Sequence, residues 1–463
     1  MPTLKVGELV EATGGTLLAG DPSLAVSSYA IDTRKIASGG GFFALPGTRV
    51  DGHAFLADAA RAGAVVGIIA RNPQGTGPFP PAMIRVDDVA AALARAGAFA
   101  RQRIRGKVVA ITGSAGKTTT KEFVAAGLQA TFPVHRTKGN LNNELGLPLS
   151  ILSCPDDAEA AVFEMGMNGP GQIAFLARLA NPDVGLVTNV LPVHLEFFDS
   201  VDDIAAAKGE LFAVLRENAT SVVNLDDDNV RIQAARHAGP RVTFGRAESA
   251  DLKLLSIADR FAPGAGLIFE HDGRSHTLAL KVGGAHAAHN ALAAVAAVVA
   301  CGLPIEPALQ AIADVEAAPG RGRLTRLPED VVVVDDTYNS NPEALASVIG
   351  TLKESTPPGR RVLVMGDMLE LGSRSIDFHK AAGELAAAAG VALLVGVGPL
   401  ARHAVDAAKR LGVEGQIISD ALHAAKAVPE LTRPGDLVVV KGSRGVRLEM
   451  VVEALIARLG EAA

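Results

Sequence analysis

Residues 108–121 read VVAITGSAGKTTTK, and their change of character decides the fold. The apolar, β-branched start reads as a buried strand, the small residues break it, and a helical pattern opens around Lys121. Such a turn aims free backbone N–H groups and the positive end of a helix at one spot, which suits a polyphosphate. Gly113, Ser114, Ala115 and Gly116 form the turn. Lys117 can reach the β- and γ-phosphates, Thr118 can place a hydroxyl on Mg²⁺, and Thr119 follows in the first helical turn. The longer pattern G-x-x-x-x-G-K-[ST] would need glycine at 111, where Ile111 stands, so this is the short form G-x-x-G-K-T. A plain strand-to-helix corner would explain the glycines but not the Lys-Thr pair that follows them. The stretch predicts a nucleotide site and leaves open where the phosphate goes.

The rest of the chain bounds the answer. At 463 residues it is too long for one core, and 48% hydrophobic residues supply ample material for several. A net charge of −6, 4% aromatics and no Trp argue against a nucleic-acid partner, which needs a basic face or stacking platforms. The opening MPTLKVGELVEATGG has neither a cationic run nor an apolar segment of signal type, and no apolar stretch is long enough to span a membrane. ALAAVAAVVACGL at 291–303 reads as a buried helix. Cys154 and Cys301 lack metal-ligand spacing, and a cytoplasmic location is expected.

The first hundred residues read as a small α/β module ending at the basic joint RQRIRGK. From Lys107 strand and helix patterns alternate, which implies right-handed βαβ units and a mostly parallel sheet. Around 241–282 the pattern turns alternating and polar, suggesting a small antiparallel appendage. A second α/β series starts at APGRGRL (318–324) with VVVVDD, RVLVMGD, ALLVGVG and LVVVKGS. The expected fold class is α/β in three domains, 1–100, 101–318 and 319–463, the central one a P-loop-type, mostly parallel sheet and the last Rossmann-like.

Four stretches bear on chemistry. Glu164 ends the apolar strand of AAVFEMGMN, where a carboxylate beside the phosphate loop could hold Mg²⁺. Asn189, His194 and Glu196 follow the strand of VGLVTNVLPVHLEFFDS. Lys208 sits on the Ala-rich segment DDIAAAKGELF. Singly, these read as an ordinary strand-end carboxylate, a structural histidine and a solvated helix lysine. The fourth, VVVVDDTYNSNP, has the look of a Walker B strand but lies beyond 319, so it is expected to meet the nucleotide from across a cleft.

In combination and order, TGSAGKTTTK, EMGMN, HLEFF, AAAKGELF, GAHAAHNALAA, PGRGR and DDTYNSNP resemble the Mur ligases, ATP-dependent amide-bond formers of peptidoglycan precursor synthesis. The resemblance runs from IDTRK at 31–35 to KGSRG at 441–445. TKGNLNNELGLPLSIL at 137–152 and VMGDMLELG at 364–372 resemble the branch that joins D-alanyl-D-alanine to UDP-muramoyl-tripeptide. The branch that adds the preceding amino acid usually carries D-N-P-R, absent here. A folylpolyglutamate-synthetase-like ligase is a competing reading. So is a P-loop phosphotransferase, although it would not need a third domain with DDTYNSNP.

The resemblance implies three domains that close around ATP and Mg²⁺. It places Lys117 and Thr118 on phosphate and metal, with Glu164 and His194 completing the metal shell. Lys208 matches a lysine that is carbamylated in several relatives. Asn290 is expected near the adenine, Arg321 at the nucleotide and Asp336 on the ribose. Thr33, Arg34, Thr48 and Arg49 match the region that handles uridine diphosphate. Asn142 and Asn143 match a substrate-facing loop, and Tyr338 and Asn339 are expected at substrate. Relatives often have Asn where Ala287 stands, and N-I-G-x-A-H-L where this chain has NVLPVHL. Small-molecule substrates, no nucleic acid, no membrane span and a monomer complete the expectation.

Overall fold

The computed structural model describes residues 4–47, 50–73, 77–192, 197–258, 266–282 and 285–460. Its chain is α/β throughout. A five-stranded sheet takes its strands from Thr16–Ala19, Ala82–Arg85, Ala64–Ile69, Gly40–Phe43 and Ser28–Ala30, in that spatial order. A nine-stranded sheet follows, whose parallel part runs Val134–Arg136, Ala160–Glu164, Lys107–Thr112, Val184–Val187, Thr220–Asn224 and Arg241–Gly245. Val108 to Ile111 are fully buried, as expected of a strand covered by helices on both faces.

From the strand Lys107–Thr112 the chain crosses to the Val134–Arg136 edge, returns through Ala160–Glu164, and then continues on the other side with Val184–Val187. The order therefore reverses beside Lys107–Thr112, and the crevice at the carboxyl ends of strands around such a point is where open α/β sheets bind ligands.

The polar alternating segment at 241–282 differs from expectation. Arg241–Gly245 pairs parallel with Thr220–Asn224 and extends the main sheet. Leu252–Ala258 is also parallel to its inner neighbour, and only from there outward do Gly266–His271 and Arg274–Ala279 pair antiparallel. The alternation reflects one-sided burial: Leu252, Leu254, Leu267, Phe269 and Leu278 all face the core. The Ala-rich segment is the helix Ala285–Ala300, packed against the phosphate-loop helix Lys117–Gln129.

The third sheet has the order Arg323–Arg326, Val332–Asp336, Leu437–Lys441, Arg361–Gly366, Leu393–Val397, Glu414–Ile418, parallel except for the first strand.

The basic joint after the first sheet is firmly packed. Helix Val89–Arg101 lies on helices Gly146–Leu152 and Gln172–Ala180, close enough that a Cβ on Gly97 would sit 3.0 Å from Pro148. Leu93, Ala96, Leu147, Ile151 and Leu176 share one core. Arg101 donates to the carbonyls of Ala180, Asn181 and Ile104.

Candidate active site

The phosphate loop leaves the strand at Gly113 and enters the helix at Gly116, both at positive φ, 147° and 80°. A Cβ on Gly113 would collide with the Thr188 hydroxyl, and one on Gly116 with the Asn290 side-chain amide. Neighbouring loops hold this turn from outside. Ser114 N donates to Asn189 O (3.0 Å), Ala115 N to Asn189 Oδ1 (2.9 Å), and Thr188 Oγ1 to Ala115 O (2.7 Å). Asn189 thus braces the loop that a ligand would touch from the other face.

Lys117 Nζ folds back onto the carbonyls of Gly113 (2.7 Å) and Ser114 (3.3 Å). Burial lowers its pKa, the carboxylate of Glu164 opposes that, and the charge of Arg321 adds to it. Thr118 Oγ1 donates to Glu164 Oε2 (2.9 Å), and Asn142 Nδ2 donates to Glu164 Oε1 (2.8 Å). Behind them Lys121, itself buried, donates to Thr137 O (2.8 Å) and lies 3.9 Å from Glu164 Oε2.

Lys208 is only 2% exposed, so it is not the solvated helix lysine that composition alone suggests. Helix Val201–Ala213 turns it toward the sheet, where burial first and then the charge of Lys117 lower its pKa far below the usual lysine range. Among the described residues no carboxylate forms an ion pair with it.

A cleft of about 800 Å³ gathers these groups. The central sheet contributes residues 114–119, Asn142, Asn143, Glu164, Lys208 and Asn290, and the third sheet contributes Arg321, Asp336, Tyr338 and Asn339. Thr33 and Arg34 lie outside it: Arg34 is paired with Asp32 on the first module. Thr48, Arg49 and His194 fall outside the described residues.

Several cleft residues are not apparent from sequence. Lys441, 3% exposed, donates to Asp336 Oδ2 (2.6 Å) and Asn339 O (3.0 Å); its one signal is a lysine ending the run LVVVK. His286 lies one turn before Asn290 on its helix, and His289 immediately precedes it. Burial lowers the His286 pKa, against the pull of Asp336 and with the help of Lys441 and His289. Burial would raise Asp226, but hydrogen bonds from His289 and Arg246 N outweigh it and hold that carboxyl below its usual range.

The arrangement is a phosphate cradle, a hydroxyl–carboxylate pair of the kind that binds Mg²⁺, and cationic groups from a second sheet facing it. Residues 25–137 match the Mur ligase family, catalytic domain, residues 111–298 the Mur ligase middle domain, and residues 320–444 the Mur ligase, glutamate ligase domain. The chain is 37% identical over 433 residues to the UDP-N-acetylmuramoyl-tripeptide–D-alanyl-D-alanine ligase of Synechocystis sp., covering 93% of this chain and 92% of that one. It is 34% identical over 465 residues to the ligase of the same name from Escherichia coli, covering 98% and 99%. Among solved structures it resembles MurF from Acinetobacter baumannii, with a TM-score of 0.88 at 29% identity over 99% of this chain and 100% of that one. It also resembles the MurF ligase of Thermotoga maritima in complex with ADP, with a TM-score of 0.80 at 31% identity over 95% and 99%. With three family domains in sequence and relatives that align along nearly its whole length, the chain belongs to the Mur ligase family.

Proposed function

We propose that this chain is an ATP-dependent ligase that joins D-alanyl-D-alanine to UDP-N-acetylmuramoyl-tripeptide through an acyl phosphate, in peptidoglycan precursor synthesis. The reading is carried by one conjunction: full-length likeness to ligases named for those substrates, and a cleft that sets Lys117, Thr118 and Glu164 opposite Arg321 and Asp336.

A carboxylate does not condense with an amine in neutral water, because its leaving group would be oxide. In the proposed sequence an oxygen of the tripeptide carboxylate attacks the γ-phosphorus of ATP and ADP leaves. The dipeptide amine, having lost a proton, then attacks the acyl carbon, and inorganic phosphate departs with that carboxylate oxygen. Lys117 supplies a point charge to the transferred group, and the backbone N–H groups of 116–118, at the start of the helix, cradle the polyphosphate, those of Ser114 and Ala115 being held by Asn189. Glycine at 113 and 116 lets Thr188 and Asn290 pack against the loop and hold its shape.

The donor set fits Mg²⁺: a buried strand-end carboxylate already holding a threonine hydroxyl. Thr118 and Glu164 would hold the ion, with His194 and Lys208, as its carbamate, completing the shell. Bound there, the ion would supply positive charge against that gathering on the phosphoryl oxygens. Asn290 is assigned to the adenine and Asp336 to the ribose. Asn142, Asn143 and Asn339 are assigned to the peptide, and Thr33, Arg34, Thr48 and Arg49 to the uridine diphosphate.

We assign the functional units to 1–100, 101–318 and 319–463. Because the first joint is packed, closure is assigned to the segment before 319. The chain is proposed to act as a monomer and in the cytoplasm. No helix among the described residues is long and apolar enough to cross a membrane. The test is phosphate release from ATP with UDP-muramoyl-tripeptide, with and without D-alanyl-D-alanine. Release that needs both substrates supports the ligase, and equal release with ATP and Mg²⁺ alone refutes it.

A further inference from the structure

Arg321 lines the cleft with Lys117 and Gly116, yet among the described residues nothing hydrogen-bonds or ion-pairs with its guanidinium. What holds it is a ring: the guanidinium carbon lies 3.8 Å from the centroid of Tyr338. The loop carrying that ring is tied to the turn carrying the arginine. Tyr338 N donates to Gly320 O (2.9 Å), and Gly320 N donates to Asp335 Oδ2 (2.8 Å), whose other oxygen takes the Thr337 hydroxyl (2.7 Å). Gly320 has φ 76°, and a Cβ there would press on Tyr338 N at 2.9 Å. Arg444 stands 6.0 Å from the centroid of the same ring, so a second cation lies near the tyrosine. Arg321 lines the cleft together with residues 114–119 of the proposed phosphate loop, which puts its charge on that side of the cleft.

We infer that Tyr338 is a positioning residue whose ring face holds the Arg321 guanidinium toward the terminal phosphate of the bound nucleotide. A free arginine samples many rotamers, and stacking on an aromatic face removes part of that search before the ligand arrives. The ring, not the phenol, does this, so a residue expected at substrate is assigned a role toward the nucleotide. The inference rests on the proposed ATP site and is independent of which acceptor the enzyme uses.

The test is calorimetric titration of the full chain with ADP and with the β,γ-imido analogue of ATP, on the parent, Tyr338→Phe, Tyr338→Leu, Arg321→Ala and the double variant Tyr338→Leu/Arg321→Ala. Melting temperatures serve as the check of fold. Tyr338→Phe is expected to keep the parent's affinity for the analogue. Tyr338→Leu is expected to weaken the analogue about three- to thirtyfold, the range of a partly desolvated cation–π contact, with ADP changed less than twofold. In the Arg321→Ala background the leucine should cost nothing more. Equal weakening of both nucleotides, additive losses in the double variant, or a raised KM for either peptide substrate alone would overturn the inference. A parent that binds neither nucleotide overturns the ATP-site reading along with it.

Discussion

Thr118 Oγ1 donates to Glu164 Oε2 at 2.9 Å, so the first turn of the phosphate-loop helix is joined to the end of the neighbouring strand where a metal would sit. The same carboxylate takes the Asn142 amide on its other oxygen, which links the metal position to the substrate-facing loop. Glu164→Gln is therefore expected to lower turnover about a hundredfold or more with little change in melting temperature. It should also abolish the effect of Mg²⁺ on ADP binding, measured by titration with and without the ion. A glutamine variant that still binds ADP more tightly with Mg²⁺ would remove Glu164 from the metal shell.

Lys208 is a buried amine facing the charge of Lys117, with no carboxylate pairing it among the described residues. Burial favours its neutral form, which can add CO₂ and release a proton, becoming a carbamate that carries the sign a metal site requires. Lys208→Ala is expected to be strongly impaired, and acetate to restore part of the rate by filling the vacated position. An alanine variant of normal activity would return Lys208 to the role of a packed helix residue.

Arg101 fixes the first joint through the carbonyls of Ala180, Asn181 and Ile104. A hydrogen bond to a charged group contributes about 1.5–3 kcal/mol, and because two of these three are only part-buried and one is exposed, their joint contribution is well below three times that. Arg101→Ala should thus lower unfolding free energy by about 3 kcal/mol in urea titration. It should also split a shared first transition of residues 1–318 into two. An unchanged single transition would mean the shared core alone holds the joint.

Burial pushes His135 down to about 4, with its ring 2.8 Å from Ser150 O. The folded state keeps the imidazole neutral while the unfolded chain takes a proton near 6.5. The resulting stability is whole above about pH 6.5 and is lost as pH falls toward 4, by at most ~3 kcal/mol. The urea midpoint of the parent should fall more steeply over that window than that of His135→Gln. Parallel slopes would contradict the assignment.

Much of this is legible in the residues. VVAITGSAGKTTTK specifies strand, turn and helix because its β-branched run, glycines and Lys-Thr each favour one local state. The third sheet shows in four hydrophobic runs that end in small or charged residues. The Arg241–Gly245 pairing is not legible, since alternation reports one-sided burial and not strand direction. The burial of Lys208 is hidden because an Ala-rich helix has no polar stripe to show which side faces water. The Asp336–Lys441 pair joins residues 105 apart in sequence, and only the register of two parallel strands brings them together.

The central claim is that a carboxylate is activated by phosphorylation inside this cleft. The direct measurement is to label the terminal carboxylate of UDP-muramoyl-tripeptide with ¹⁸O, run the reaction with ATP, Mg²⁺ and D-alanyl-D-alanine, and weigh the inorganic phosphate. One labelled oxygen in the phosphate, with the other kept in the new amide, is the predicted result. Phosphate without label, with both oxygens left on the tripeptide, would contradict it.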